Sequence, residues 1–499
     1  MQGLTVEAQE FGPLASGRIH LRPLTIFVGP NNTGKSYLAQ LVYAISRTSS
    51  SLSDDYHLRF LDRRPTKGGL GLFYEGRPLS HETEEWLGAL RDRLLQRLSQ
   101  IAPTHPLSKQ AALEVGYKTL PPEIREAVDA YLLGYFDFFS VNLEKELQRC
   151  YDAKISNLAY EAKRRPGGSF LINVDAEDPL LGLSFRSQAN RLNKVRAVFP
   201  PQLGSIPLSP NILSRGVEHV PNEQTFRRLA SAILRGTRRI IDRAFPTQSF
   251  YLPAARSGIL LGQKAIARVG IRTMERAGIE AISIPRLPGT VVDFLDAIYS
   301  IDKDEPAPFR HIARRLELNL TPGRVELVEG KGELPEIYFR QPHVGRLPLH
   351  RTSSMISELA PMIILLRYLV QKGDMIIVEE PESHMHPAAQ RVIARALATM
   401  ANNGVRVLIT THSDYLLQQI SNLVVLSTKS TNQQEQTGYS TDELLSPDNV
   451  AAFLFNRPES AESGSTVTPL KITEYGIDDR SFGTVAESLY EEAVAIRED

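Results

Sequence analysis

Apolar positions in this chain recur at two spacings, and the changes from one to the other mark its elements. Residues 4–9 and 17–29 read as strands joined through the Gly12-Pro13 turn, the second containing the apolar, β-prone run Leu24–Val28. The run Tyr37–Ile45 is long enough for a buried helix. Residues 81–101 and 121–164 carry helical periodicity with mixed charge, and Ser169–Val174 then reads as a strand. Pro200, Pro201, Pro207 and Pro210 mark a loop-rich stretch. Phe226, Leu229, Ala230, Ile233, Ile240, Ile241 and Ala244 form one apolar stripe of a helix. Phe250-Tyr251-Leu252 is expected to be a core strand, and Met375–Val378 and Val405–Ile409 are buried-strand signals. Between these two, Pro387 opens a helix over Ala388–Ala401 that stops at Asn402-Asn403-Gly404. Leu423–Leu426 reads as the last core strand, followed by a Ser446-Pro447-Asp448 turn, a strand-like Thr466–Ile472 and a helix near Thr484–Ile496. There is no internal repeat and no long heptad run.

The strand at Leu24–Val28 and the helix at Tyr37–Ile45 flank Gly29-Pro30-Asn31-Asn32-Thr33-Gly34-Lys35-Ser36, a match to G-x-x-x-x-G-K-[ST]. A strand, a glycine-cornered loop and a helix N-terminus turn several backbone N–H groups toward one point, which is the geometry that cradles phosphates. Lys35 is expected to reach the β- and γ-phosphates of ATP, and the Ser36 hydroxyl to hold Mg²⁺.

The second half of such a site stands about 340 residues further on. Met375–Val378 closes in Glu379-Glu380-Pro381-Glu382. Carboxylates at the end of a core strand beside a phosphate loop serve two tasks: Glu379 would hold Mg²⁺, usually through water, and Glu380 would orient the attacking water. His412, at the tip of the strand that follows, could hydrogen-bond the γ-phosphate. A compact phosphate-loop domain does not need so much intervening chain, so an insertion is expected, starting near residue 48.

Composition narrows the function classes without choosing among them. The 499 residues carry 42% hydrophobic and 23% charged side chains with a formal net charge of zero, so no whole-molecule field draws the chain to DNA or to an acidic membrane. A local basic face is still offered by Arg227, Arg228, Arg235, Arg238, Arg239 and Arg243, opposed by Asp242. It fits either a phosphate backbone or a solvated surface that pairs with acidic helices. One cysteine, Cys150, excludes an internal disulfide and any multi-cysteine metal site, which suits a reducing cytoplasm. The first residues show no basic segment followed by an apolar one, so no signal peptide is expected, and apolar stretches such as Met362–Leu366 are too short to span a bilayer.

Taken together, Gly29–Ser36, Glu379–Pro387 and Thr410-Thr411-His412-Ser413 resemble the ABC-type ATPase heads of the RecF, SMC and OLD group over roughly residues 1–47 and 250–425. The resemblance implies an α/β P-loop NTPase: an ABC-type head with an N-terminal antiparallel β-subdomain and a large, mostly helical insertion. It divides the chain into 1–47 (the first part of the head), 48–249 (the insertion, a lever, lid or partner-binding unit), 250–427 (the rest of the head) and 428–499 (a small α/β extension). It further implies a homodimer or higher oligomer closing through its heads around ATP. Ser383–His386 would cross that interface, and Ser353 and Ser354, on a signature-like helix N-terminus, would serve the γ-phosphate held by the opposite subunit. Met355 and Glu379 stand where many relatives have Gly and Asp. Phe250–Ser257 looks like a feature of bacterial ATPases of this group; Arg256 could sense phosphate or form an ordinary salt bridge. Gln263 is a candidate for the glutamine loop. The TOPRIM nuclease of OLD proteins is not expected in the remaining chain, so a separate effector is. Two functional classes stay open: a hydrolysing switch of an antiphage or DNA-maintenance system, and a nucleotide-gated DNA- or protein-binding scaffold. The motor of a membrane transporter fits less well.

Overall fold

The computed structural model describes residues 3–62, 80–99, 113–159, 169–176, 181–188, 190–198, 205–208, 223–262, 287–303, 307–330, 333–456, 464–478, 488 and 490–496. Strands β1 (Leu4–Phe11), β2 (Leu14–Leu21) and β3 (Leu24–Val28) lead into helix α1 (Lys35–Asp62). Then come α2 (His81–Ser99), β4 (Leu113–Gly116), α3 (Pro122–Tyr151), β5 (Leu171–Ala176), β6 (Leu181–Gln188), β7 (Arg191–Val198), β8 (Ser205–Leu208) and α4 (Glu223–Ala244). The chain returns through β9 (Ser249–Leu252), α5 (Gly289–Tyr299), α6 (Arg310–Leu320), β10 (Arg324–Gly330), β11 (Glu333–Gln341), β12 (Gly345–Pro348), α7 (Ser354–Tyr368) and β13 (Met375–Glu379). It ends with α8 (Pro387–Asn402), β14 (Arg406–Thr411), α9 (Asp414–Ser427), α10 (Thr431–Gln436), β15 (Val450–Asn456) and β16 (Ser465–Pro469), with residues 490–496 helical.

One eleven-stranded sheet organises these elements, in the order β7-β6-β5-β1-β2-β16-β15-β3-β14-β13-β9. Its β15-β3-β14-β13-β9 half is parallel throughout. The β7-β6-β5-β1-β2 half is antiparallel, as the N-terminal β-subdomain requires. Every residue of β3, β13 and β14 is buried, because helices cover both faces of the parallel half. The alternation of the pleat divides them between two cores. Phe27, Ile377 and Leu408 face the core built with α1 and α3, while Ile26, Val378 and Ile409 face the core built with α7, α8 and α9.

Four expectations need adjustment. Residues 17–29 form two strands, because the chain breaks at Arg22-Pro23 and changes partner, from β1 to β14. The helix expected over 121–164 ends at Tyr151, where Asp152 takes a left-handed φ of 46°. Leu423–Leu426 is not a strand. It is the last turn of α9, whose buried Leu416, Leu417, Ile420, Leu423 and Val424 follow the helical spacing; a four-residue apolar window is too short to reveal that period. The last strands of the central sheet are instead β15, beside the phosphate-loop strand, and β16. Between α1 and β9 the chain forms α2, α3 and α4 but also donates β5, β6 and β7 to the sheet edge. Gln263 and the side chains of Arg227 and Arg228 lie outside the described residues. No described helix is long and apolar enough to cross a membrane.

Candidate functional site

Register brings the separated motifs together. Thr411 pairs with Val28, and Glu379 with Thr410, so the carboxyl ends of β3, β14 and β13 stop at one level. The residues that follow them are Gly29, His412 and Glu380. In open α/β sheets, ligands bind outside these strand ends.

The phosphate loop has positive φ at Gly29 (140°), Asn32 (63°) and Gly34 (92°). At Gly29 a Cβ would lie 2.5 Å from the Phe455 carbonyl of β15, so backbone packing as well as φ demands glycine. The Thr33 hydroxyl donates to the Pro30 carbonyl at 2.9 Å and braces the turn. Lys35 opens α1 and curls back over the loop: its ammonium donates to the Gly29 carbonyl at 2.8 Å and the Pro30 carbonyl at 2.7 Å. Burial pushes the Lys35 pKa down to about 8, against the opposing pull of the Glu380 and Glu382 carboxylates. Ser36 is exposed, on the first turn of α1.

Lys35 also meets His412, with Nζ 3.5 Å from Nδ1. An ammonium can only donate, so in this contact Nδ1 is the acceptor and Nε2 is left to donate. Nε2 lies 3.4 Å from Oε1 of Glu380. The three residues expected to be catalytic thus form one line, Lys35–His412–Glu380. The hydrogen bond from His412 is the main reason the Glu380 carboxyl is held below its ordinary pKa, with Ser383 and Lys35 adding to it. Glu380 adopts a left-handed φ of 43°, and its N–H donates to the Thr410 carbonyl at 2.9 Å. Glu382, which sequence reasoning gave no role, positions the histidine. Its Oε1 accepts from the Thr411 hydroxyl at 2.6 Å and the His412 N–H at 2.9 Å, and its Oε2 is buried with no protein partner.

Glu379 is oriented differently from expectation. It is buried at the end of β13; one oxygen accepts from the Tyr251 hydroxyl and the other from the Ala254 N–H at 3.1 Å. Both oxygens are therefore occupied by β9 and the segment that follows it. Arg256, on the same segment, is an ion-pair and backbone-binding residue: 2% exposed, it lies 3.2 Å from the Glu358 carboxylate. It also donates to the carbonyls of Glu358 at 3.0 Å, Glu379 at 2.7 Å and Glu380 at 3.3 Å. Glu358 belongs to α7, whose N-cap is Ser353, accepting from the Ile356 N–H at 3.4 Å. Ser353 and Ser354 are exposed at that helix N-terminus; among the described residues neither is hydrogen-bonded to the phosphate loop of its own chain. The signal for Glu358 was legible: one carboxylate inside the apolar run Ile356–Leu366 must have a buried partner.

This donor set fits a nucleoside triphosphate: a nest of amides, a lysine with its charge aimed across it, and an exposed hydroxyl at Ser36. Among the described residues no three His, Cys, Asp or Glu gather into a metal cage.

Residues 272–418 match the family model described as "AAA domain, putative AbiEii toxin, Type IV TA system"; the phosphate loop lies outside the matched span. No curated protein matches the chain. Solved structures similar to it include the SmcHead bound to the C-winged helix domain of ScpA (11% identity, TM-score 0.39, 94% of this chain and 98% of that one). Another is the Smc head domain with an extended coiled coil bound to the C-terminal domain of ScpA derived from Pyrococcus furiosus (11%, 0.37, 99% and 100%). A third is the SMC head domain from Thermotoga maritima (10%, 0.33, 95% and 100%). The chain is thus similar over residues 272–418 to the AbiEii-type AAA domain family, and its phosphate-loop, carboxylate and histidine motifs meet at the ends of β3, β14 and β13.

Proposed function

We propose that this protein is an ATP-hydrolysing switch in which two heads close over ATP and reopen after hydrolysis. The observation that carries this reading is the Lys35–His412–Glu380 line at the mouth of the phosphate loop. On ATP binding, Lys35 exchanges the Gly29 and Pro30 carbonyls for the β- and γ-phosphates. His412 stabilises charge at the γ-phosphoryl group, and Glu380, kept ionised, orients the attacking water. Ser36 would hold Mg²⁺, which would neutralise phosphate charge, and Glu379 would join it through water only by giving up its bonds to Tyr251 or Ala254. Ser353 and Ser354, exposed and among the described residues not hydrogen-bonded to the phosphate loop of their own chain, would complete the site of the opposite head. Arg256 relays the contact: it touches both the helix they cap and the backbone under Glu379 and Glu380. The chain would act in the cytoplasm as the ATPase component of an antiphage defence or DNA-maintenance system, with a separate effector and the insertion as the moving part.

A second reading, a nucleotide-gated DNA- or protein-binding scaffold with little hydrolysis, is favoured by Glu379. Both of its oxygens are engaged away from the cleft. Sedimentation with and without ATP, run beside a phosphate-release assay, separates the readings. A switch dimerises with ATP and releases phosphate. A scaffold dimerises without turnover. A chain that does neither supports no ATP-driven closure.

A further inference from the structure

A second cluster of cations lies away from the nucleotide cleft, at the opposite end of α7. There a cavity of about 660 Å³ is bounded by α6, by the start of β10 and by the last turn of α7. Arg310 and Arg314 lie on its wall, four residues apart and so on one face of α6, and Arg324 rises from β10 opposite. All three are exposed, and none makes an ion pair among the described residues. Gly323 sets the last of these: a Cβ there would stand 2.3 Å from the Arg340 carbonyl, so β10 packs tightly on β11 and holds Arg324 at the rim.

The one carboxylate among the lining residues does not offset this charge. Glu317 is buried, accepts from the Val325 N–H at 2.7 Å, and is paired at 2.6 Å with Arg367, itself buried. The floor is therefore a neutral ion pair, and the three exposed rim guanidiniums make no ion pair among the described residues. Tyr368 adds an aromatic wall. Three forked donors around a space large enough for a nucleotide are matched to phosphate oxygens, and the ring to a base. α7 has 15 residues, so this cavity is about 20 Å from the Ser353 end of the helix.

We propose that the Arg310, Arg314 and Arg324 cavity is a binding site for a phosphate-bearing ligand, separate from the ATP site. Two sources carry that chemistry: a single-stranded nucleic-acid segment and a free phosphorylated nucleotide. The site is independent of the Lys35 loop and stands or falls without it.

The test uses the full chain carrying Lys35→Ala, so that the phosphate loop does not compete. The probes are a fluorescein-labelled, 5′-phosphorylated single-stranded 12-mer and inorganic pyrophosphate, both at low salt. The Arg310→Glu, Arg314→Glu, Arg324→Glu triple variant should bind at least ten-fold more weakly. A triple Gln variant, which removes charge without reversing it, guards against misfolding and should show a smaller loss in the same direction. If the oligonucleotide is the ligand, the slope of log affinity against log salt should fall by about 2 for three lost single-strand phosphate contacts. Loss with the 12-mer alone assigns nucleic acid, and loss with pyrophosphate alone assigns a free phosphorylated ligand. No binding of either probe to the parent, or a triple variant that binds as the parent does, overturns the proposal.

Discussion

Arg256 and Glu358 form an ion pair at 3.2 Å with both side chains 2% exposed, and the arginine spends its remaining donors on backbone carbonyls under the cleft. Removing one partner strands a buried charge, which costs about 3–5 kcal/mol. Arg256→Ala should therefore unfold at a clearly lower denaturant concentration than wild type. Replacing both residues with apolar ones should recover much of the loss, because the desolvation cost goes with the pair. A single substitution with an unchanged midpoint would contradict the pairing.

On the proposed reading, in which Lys35 meets the phosphates, it would couple ATP binding to protons. Burial lowers its pKa to about 8, so above that pH the free protein holds it neutral, while triphosphate in the loop favours the ammonium. ATP affinity should then fall as pH rises through 8, and binding near pH 8.5 should take up a proton. Calorimetry in two buffers of different ionisation enthalpy measures this. The sign for stability is opposite. The unfolded chain binds this proton up to the ordinary lysine pKa of about 10.4, so folding gains stability from Lys35 as pH rises between the two values. An affinity flat from pH 7 to 9.5 would show that Lys35 does not meet the phosphates.

His412 keeps Glu380 ionised. The carboxyl is held down chiefly by the Nε2 hydrogen bond, so His412→Ala should let its pKa rise. Activity that requires the carboxylate is lost as pH falls through that pKa. The acid limb of the rate profile should therefore move to higher pH in the variant, in addition to a drop in rate of about 10²-fold or more from the lost charge stabilisation. A drop with the acid limb unmoved would mean that His412 acts without touching Glu380.

Much of this site could be read in the chain because its parts are local. Gly29–Ser36 needs only a strand before it and a helix after it, and Glu379-Glu380 and His412 each end an apolar run. What local patterns do not carry is side-chain direction across distant segments. Glu379 stands at the expected place yet turns toward Tyr251 and Ala254, residues some 125 positions earlier. The role of Glu382 depends on Thr411 and His412, about 30 positions later. The error at Leu423–Leu426 had another cause: four apolar residues fit either period, and only Leu416, Leu417 and Ile420 before them decide for helix.

The central claim is that Lys35, His412 and Glu380 form one hydrolytic centre, and Glu380→Gln tests it most directly. In a single-turnover assay with γ-labelled ATP, the variant should bind nucleotide as wild type does and release phosphate at least a hundred-fold more slowly. Equal phosphate release from the two proteins, with equal binding, would remove Glu380 from the chemistry and the account with it.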